Sequence, residues 1–178
     1  MKNLRCFVIL LCAFVAAPLY ANDVTLFGGL QREGKITLRS AVQSGTSAST
    51  YNPKNFGTFG IRVAHGKVIG GEHTLAYSPN FVESQTKAVI YNSNLLVEAP
   101  LPKIHPYITA GLGGIFTSSS NSLLDIGKKF AVNYGGGLKI FPAGPAGVRI
   151  DARGYTIPSI QDQTLNVIEV SVGVVFAF

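Results

Sequence analysis

From residue 22 onward apolar side chains recur at every second position, and no window of useful length carries a helical period. The last stretch is the clearest. Ile168, Val170, Val172, Val174, Phe176 and Phe178 fall on one face of an extended chain, opposite Glu169, Ser171, Gly173, Val175 and Ala177. Around residue 150, Val148, Ile150 and Ala152 oppose Arg149, Asp151 and Arg153 in the same way. Val132, Tyr134, Leu138 and Ile140 oppose Asn133, Gly135, Gly137 and Lys139, and Phe59, Ile61 and Val63 oppose Gly60, Arg62 and Ala64. The pattern predicts eight strands, at about 23–32, 56–65, 68–78, 86–98, 104–117, 129–141, 146–156 and 164–178. Most are close to the roughly 9 to 11 residues with which a tilted strand crosses a bilayer.

The connections alternate in length. Longer, polar ones run from Glu33 to Asn55, Pro79 to Gln85, Ser118 to Lys128 and Ile157 to Gln163. Between them lie turns at His65-Gly66-Lys67, Ala99 to Lys103 and Pro142-Ala143-Gly144-Pro145. Long loops on one side and tight turns on the other predict an all-β fold: an eight-stranded antiparallel up-and-down transmembrane β-barrel. A soluble barrel would point its apolar face inward and its charges outward.

With lipid outside, the charged faces enclose one another. Arg62, Lys139, Arg149 and Arg153 then face the lumen together with Glu72, Glu98, Asp151 and Glu169, four charges of each sign. Charges in a low-dielectric interior need partners, and Glu72, Glu98 and Glu169 are the expected partners of the residues at 149–153. The third stretch fits less easily. If Glu72 and Thr74 point inward, His73 shares the lipid face with Ile69, Leu75 and Tyr77, unless a bulge at Gly70-Gly71 changes the phase. Both phasings stay open.

The N-terminus reads as an address. Lys2 and Arg5 precede an apolar run from Cys6 to Ala17, and Pro18 to Ala21 lead into polar Asn22-Asp23. These are the marks of a secretory signal peptide over residues 1–21, leaving a barrel domain at 22–178. Cys6 and Cys12 both lie in that segment, so the mature chain holds no thiol, disulfide or cysteine-bound metal. Bulky Leu11 before Cys12 argues against lipidation.

Composition fits this picture. Of 178 residues, 47% are hydrophobic and only 13% charged, which excludes a disordered chain and a charge-laced coiled coil. The formal charge of +6 falls to +4 once Lys2 and Arg5 are removed. The remaining basic residues are scattered singly, so no nucleic-acid face is expected.

The runs Tyr107 to Gly114, Asn133 to Leu138 and Val148 to Tyr155, with the terminal Val174-Val175-Phe176-Ala177-Phe178, are similar to those of a known group. The chain resembles the small bacterial outer-membrane β-barrel family of the OmpA transmembrane domain and OmpX. That resemblance implies the outer membrane of a Gram-negative-type bacterium, with outer-membrane lipids and lipopolysaccharide as partners. It also implies that the assembly machinery recognises the last strand through Phe176 and Phe178, and that the barrel is a monomer. The chain stops at Phe178, without the peptidoglycan-binding domain that follows the OmpA barrel, so tethering of the cell wall is not inferred.

Barrels of this size include lipid A-modifying enzymes, so the histidines need weighing. His65 sits at a turn, His105 precedes a proline at a strand start, and the His-x-Ser spacing of the similar deacylases places Leu75 two residues after His73. No Ser–His–acid set is legible, so no catalytic residue is assigned. Histidine spacing suits no zinc site, no Asp-rich calcium loop is present, and no helix or Lys-Ser/Thr follows Gly135-Gly136-Gly137. No cofactor is therefore expected. The expected role is a structural or surface-interaction scaffold with a filled polar lumen that presents extracellular loops. A lipid A or phospholipid-modifying enzyme is the second reading, and a narrow pore for small solutes the third.

Overall fold

A computed structural model describes residues 22–34, 36–39, 48–51, 55–81, 86–119, 127–160 and 163–178. The expected signal segment, 1–21, lies outside the described residues. The described residues form β1 (Asp23–Glu33), β2 (Ile36–Arg39), β3 (Ala48–Tyr51), β4 (Asn55–His65) and β5 (Ile69–Ser78). They continue with β6 (Thr86–Glu98), β7 (Ile104–Ser119), β8 (Lys128–Ala143), β9 (Ala146–Ile160) and β10 (Gln163–Ala177). Eight of these close into a barrel in the order β1-β10-β9-β8-β7-β6-β5-β4, with every neighbouring pair antiparallel. β1 seals it by pairing with β10 along one edge and β4 along the other.

The short turns lie at the same end as Asn22 and Phe178, where the amide of Phe178 donates to the Asn22 carbonyl at 2.9 Å. The longer connections lie at the other end. Two of them differ from the sequence expectation. The stretch from Glu33 to Asn55 contains an antiparallel pair, β2 with β3, in register from Ile36↔Tyr51 to Arg39↔Ala48. The expected loop from Ile157 to Gln163 is mostly strand, because β9 runs on to Ile160 and β10 starts at Gln163.

Ladder irregularities sit at prolines. One register shift separates Ile140 from Ala143, spanning Pro142, and the other lies opposite Pro158, between Gln163 and Leu165. Proline has no N–H to give, so the ladder steps around it. Gly70-Gly71 carries no bulge: the β5–β6 register is unbroken from Ile69↔Val97 to Ser78↔Ala88. Glu72 and Thr74 are buried inward, and His73 stays on the outer wall.

The two faces differ sharply. Ile150 is 45% exposed while its neighbours Arg149 and Asp151 are at 0% and 1%. Leu30, Ile108, Ile168 and Val170 are also exposed, so the outer wall is an apolar belt. The interior is layered. Phe56, Phe81, Ile90, Ile115, Ile157 and Leu165 fill the half nearer the long loops, a plug that polar–apolar alternation does not predict. Most of the charged groups occupy the middle and the turn end.

This phase predicts lipid contact directly. A fluorophore on Ile108→Cys, Ile150→Cys or Val170→Cys should be strongly quenched by brominated lipid, and one on Thr109→Cys or Ser171→Cys weakly. A reversed ranking would overturn the assignment of faces.

Candidate functional site

Period two delivers inward groups from every barrel strand, and register decides which of them meet. β9 presents Arg149, Asp151 and Arg153, level with Gly173, Ser171 and Glu169 of β10. Arg62 arrives from β4 and Glu72 from β5. Arg62 grips Asp151 at 2.9 Å with one terminal nitrogen and Glu169 at 2.6 Å with the other. Arg149 pairs with Glu72 at 2.5 Å and Asp151 at 3.1 Å, and Arg153 with Glu72 at 2.7 Å and Asp151 at 2.9 Å. Three guanidinium groups therefore face three carboxylates, all fully buried, with no net charge. That balance is the condition for enclosing ions without a large desolvation penalty.

Neutral side chains complete the cluster. Gln31 Nε2 donates to Glu169 at 2.6 Å, Tyr155 OH to Glu169 at 3.2 Å, and Asn94 Nδ2 to Glu72 at 3.2 Å. Tyr107 OH donates to Asp151 and accepts from Arg149 Nε at 2.8 Å. The Arg62 guanidinium also lies 3.6 Å from the centre of the Phe27 ring, within cation–π range. Space for these long groups comes from glycine. A Cβ on Gly135 would lie 3.0 Å from Arg153 Cγ, and one on Gly137 would lie 2.9 Å from Tyr107 Cζ.

Two expected members sit apart from that cluster. Lys139 Nζ contacts Glu98 and lies 2.6 Å from Asp23 Oδ2, and Glu98 Oε1 lies 2.7 Å from His105 Nδ1. Glu98 therefore partners Lys139 and His105 rather than the arginines. Alternation had given its inward phase, but strand depth places it a layer nearer the turns. Sequence reasoning missed Asp23, Gln31, Tyr107 and Tyr155. Asp23 and Gln31 share the phase of Thr25 and Phe27, which was the available signal.

Outside, the charges are one-sided. Among residues with described side chains, every carboxylate (Asp23, Glu33, Glu72, Glu98, Asp151, Glu169) lies on the lumen phase. Arg32, Lys87 and Lys128 are exposed on the outer phase toward the long loops, and Lys67 is exposed in a turn at the opposite end. The belt carries a polar spot where His73 lies opposite exposed Ser93: His73 Nδ1 lies 3.0 Å from Tyr91 OH, and its ring stacks on His65 at 5.9 Å. Among the described residues no serine or cysteine joins His105 and Glu98 in a nucleophile–base–acid set, and no group of three metal-binding side chains forms.

Asp151→Asn should expose the balance. It removes one carboxylate from a net-neutral set, and a broken buried pair typically costs about 3 to 5 kcal/mol. Urea unfolding in lipid vesicles should show a loss on that scale, against a change within about 0.5 kcal/mol for exposed Lys87→Ser.

Several known proteins share this architecture. A family model described as the outer membrane protein beta-barrel domain matches residues 7–178. Neisserial surface protein A is similar in structure at a TM-score of 0.67 and 12% identity, covering 88% of this chain and 96% of its own. The N-terminal β-barrel domain of OprF from Pseudomonas aeruginosa is similar at 0.55 and 12% identity, covering 88% of this chain and 98% of its own. No curated protein matches the sequence. A closed eight-stranded barrel matched by that family model across nearly the whole chain belongs to the outer membrane protein beta-barrel domain family, and its place is the outer membrane of a Gram-negative bacterium.

Proposed function

We propose that the protein is a monomeric surface scaffold: a barrel with a sealed lumen that presents its long connections to the outside of the cell. The observation that carries this reading is the filled interior. The buried Arg–carboxylate cluster and the apolar plug lie one above the other across the same lumen. Eight strands enclose only enough room for side chains, so the bore is spent on packing. What remains for function is the two rims and the outer wall.

The outer wall supports a lipid role as well. Arg32, Lys87 and Lys128 stand above the apolar belt, with no described carboxylate on the same face. Such a collar attracts the phosphates of outer-leaflet lipopolysaccharide. The turn end then faces the periplasm, with residues 1–21 removed as a signal peptide. Phe176 lies on the lipid-facing phase of β10 and pairs with Val24 and Ala146; Phe178 ends the strand beside Asn22. These two residues form the terminal signature offered to the assembly machinery.

Three measurements test the proposal. Vesicles loaded with small sugars should not swell on reconstitution with the protein, whereas flux at porin rates would refute a sealed lumen. Protease added to intact cells should cut within 34–54 or 120–126 and spare the turns, and cleavage confined to the turns would invert the topology. Deleting Phe178 should sharply lower the barrel fraction recovered from outer membranes, as read by heat-modifiable gel mobility. Undiminished recovery would make the terminal aromatic incidental.

A further inference from the structure

At the turn end the barrel opens into a pocket of ≈ 230 Å³ whose lining includes Asn22, Asp23, Glu98, His105, Phe141 and Phe178. Its acceptors are not all engaged. Asp23 is only 6% exposed; Oδ2 holds Lys139 Nζ at 2.6 Å, while Oδ1 has no hydrogen-bond partner. Glu98 contacts the same Nζ with one oxygen and His105 Nδ1 with the other. Two carboxylates of the lining thus share one buried lysine, Lys139, while Lys67, which lines the pocket itself, is exposed at the rim. A buried carboxylate oxygen without a donor is costly, and a charged donor satisfies it best.

We propose that this pocket takes a primary ammonium group, with Asp23 Oδ1 as acceptor and Glu98 as the second negative charge. The donor set selects the class of ligand. A guanidinium is best held by both oxygens of one carboxylate, and Asp23 has one to offer. A metal ion would want three or more side-chain ligands, and no such group exists among the described residues. An ammonium is a compact charge that needs a single strong acceptor, and aromatic Phe141 and Phe178 are part of the same lining.

The ammonium has two possible sources. One is the chain itself. Asn22 is pinned at the pocket by three hydrogen bonds: its N donates to Ala64 O at 2.7 Å, its O accepts from Phe178 N at 2.9 Å, and its Oδ1 accepts from Gly66 N at 3.0 Å. Cleavage after Ala21, which rests on the proposed signal peptide, would turn that fixed nitrogen into an α-ammonium beside Asp23. The other source is a free amine entering from the periplasm.

Protein purified from outer membranes into lipid nanodiscs distinguishes them. It is titrated with cadaverine, with diacetylcadaverine as the uncharged control, and followed through the backbone amides of Asp23 and Glu98 by NMR. Saturable shifts with cadaverine alone, weakened about tenfold or more in Asp23→Asn, identify a free amine as the ligand. No response to cadaverine, with the Asn22 amine acylated about tenfold more slowly in the wild type than in Asp23→Asn, identifies the chain's own terminus. Heat-modifiable mobility checks that the variant is folded, and Glu98→Gln, which leaves Lys139 its Asp23 partner, serves as the second variant. Equal acylation rates without a cadaverine response, or a response shared by the diacetyl control or retained in both variants, would overturn the proposal.

Discussion

Closure of the backbone ladder is the constraint from which the rest follows. Hydrocarbon offers no hydrogen bonds, so each N–H and C=O within the membrane must find a partner in the protein. β1 meets this demand on both edges, pairing with β10 from Asp23↔Ala177 to Glu33↔Val167 and with β4 from Asp23↔Ala64 to Arg32↔Asn55. Once eight strands close, the interior has room for side chains and little else. Inward residues are then packed mostly against other inward residues, and outward ones mostly face lipid.

Enclosed charge needs its own account. A buried ion pair is weak grounds for stability, since a well-packed apolar substitute often does as well. What the Arg149-Asp151-Arg153 triplet adds is a penalty on alternatives. A one-residue slip of β9 would turn all three charges to lipid and bring Val148, Ile150 and Ala152 inside. An arginine near the bilayer midplane costs roughly 2 to 4 kcal/mol, so the slipped barrel bears that cost at Arg149 and Arg153, and it also leaves Glu72 without an arginine and Arg62 with Glu169 alone. The cluster sets the phase of β9 more firmly than an apolar core could, because leucine is at home on either face.

Face was legible in the sequence and depth was not. Alternation gave the phase of the eight lumen charges expected from it, since a period of two carries that information residue by residue. It could not say that Glu98 lies with Lys139 rather than Arg149, because layer depends on register across the barrel, and register is fixed by the turns. The extension of β9 through Pro158 was hidden because proline reads as a break, whereas a bulge absorbs it. His73 looked misplaced on a lipid face because its relief comes from neighbouring strands: Tyr91 supplies a hydrogen bond and His65 a stacking partner. The missed Tyr107 illustrates the same limit. Its hydroxyl is usable only because Gly137 leaves room on the facing strand, a pairing that single-strand periodicity does not report.

The interior is polarised along its axis, and this bears on where anything could bind. Toward the long connections the lumen is filled largely by Phe56, Phe81, Ile115 and Leu165, which exclude water. In the middle each guanidinium and carboxylate is already engaged with at least one partner of opposite sign. At the turn end a buried carboxylate oxygen, Asp23 Oδ1, has no hydrogen-bond partner, and Asp23 is among the residues that line the pocket. A ligand for the lumen would have to displace an arginine at the centre or phenylalanines at the far end. At the turn-end mouth it would displace only water, so recognition at this barrel concentrates on its rims.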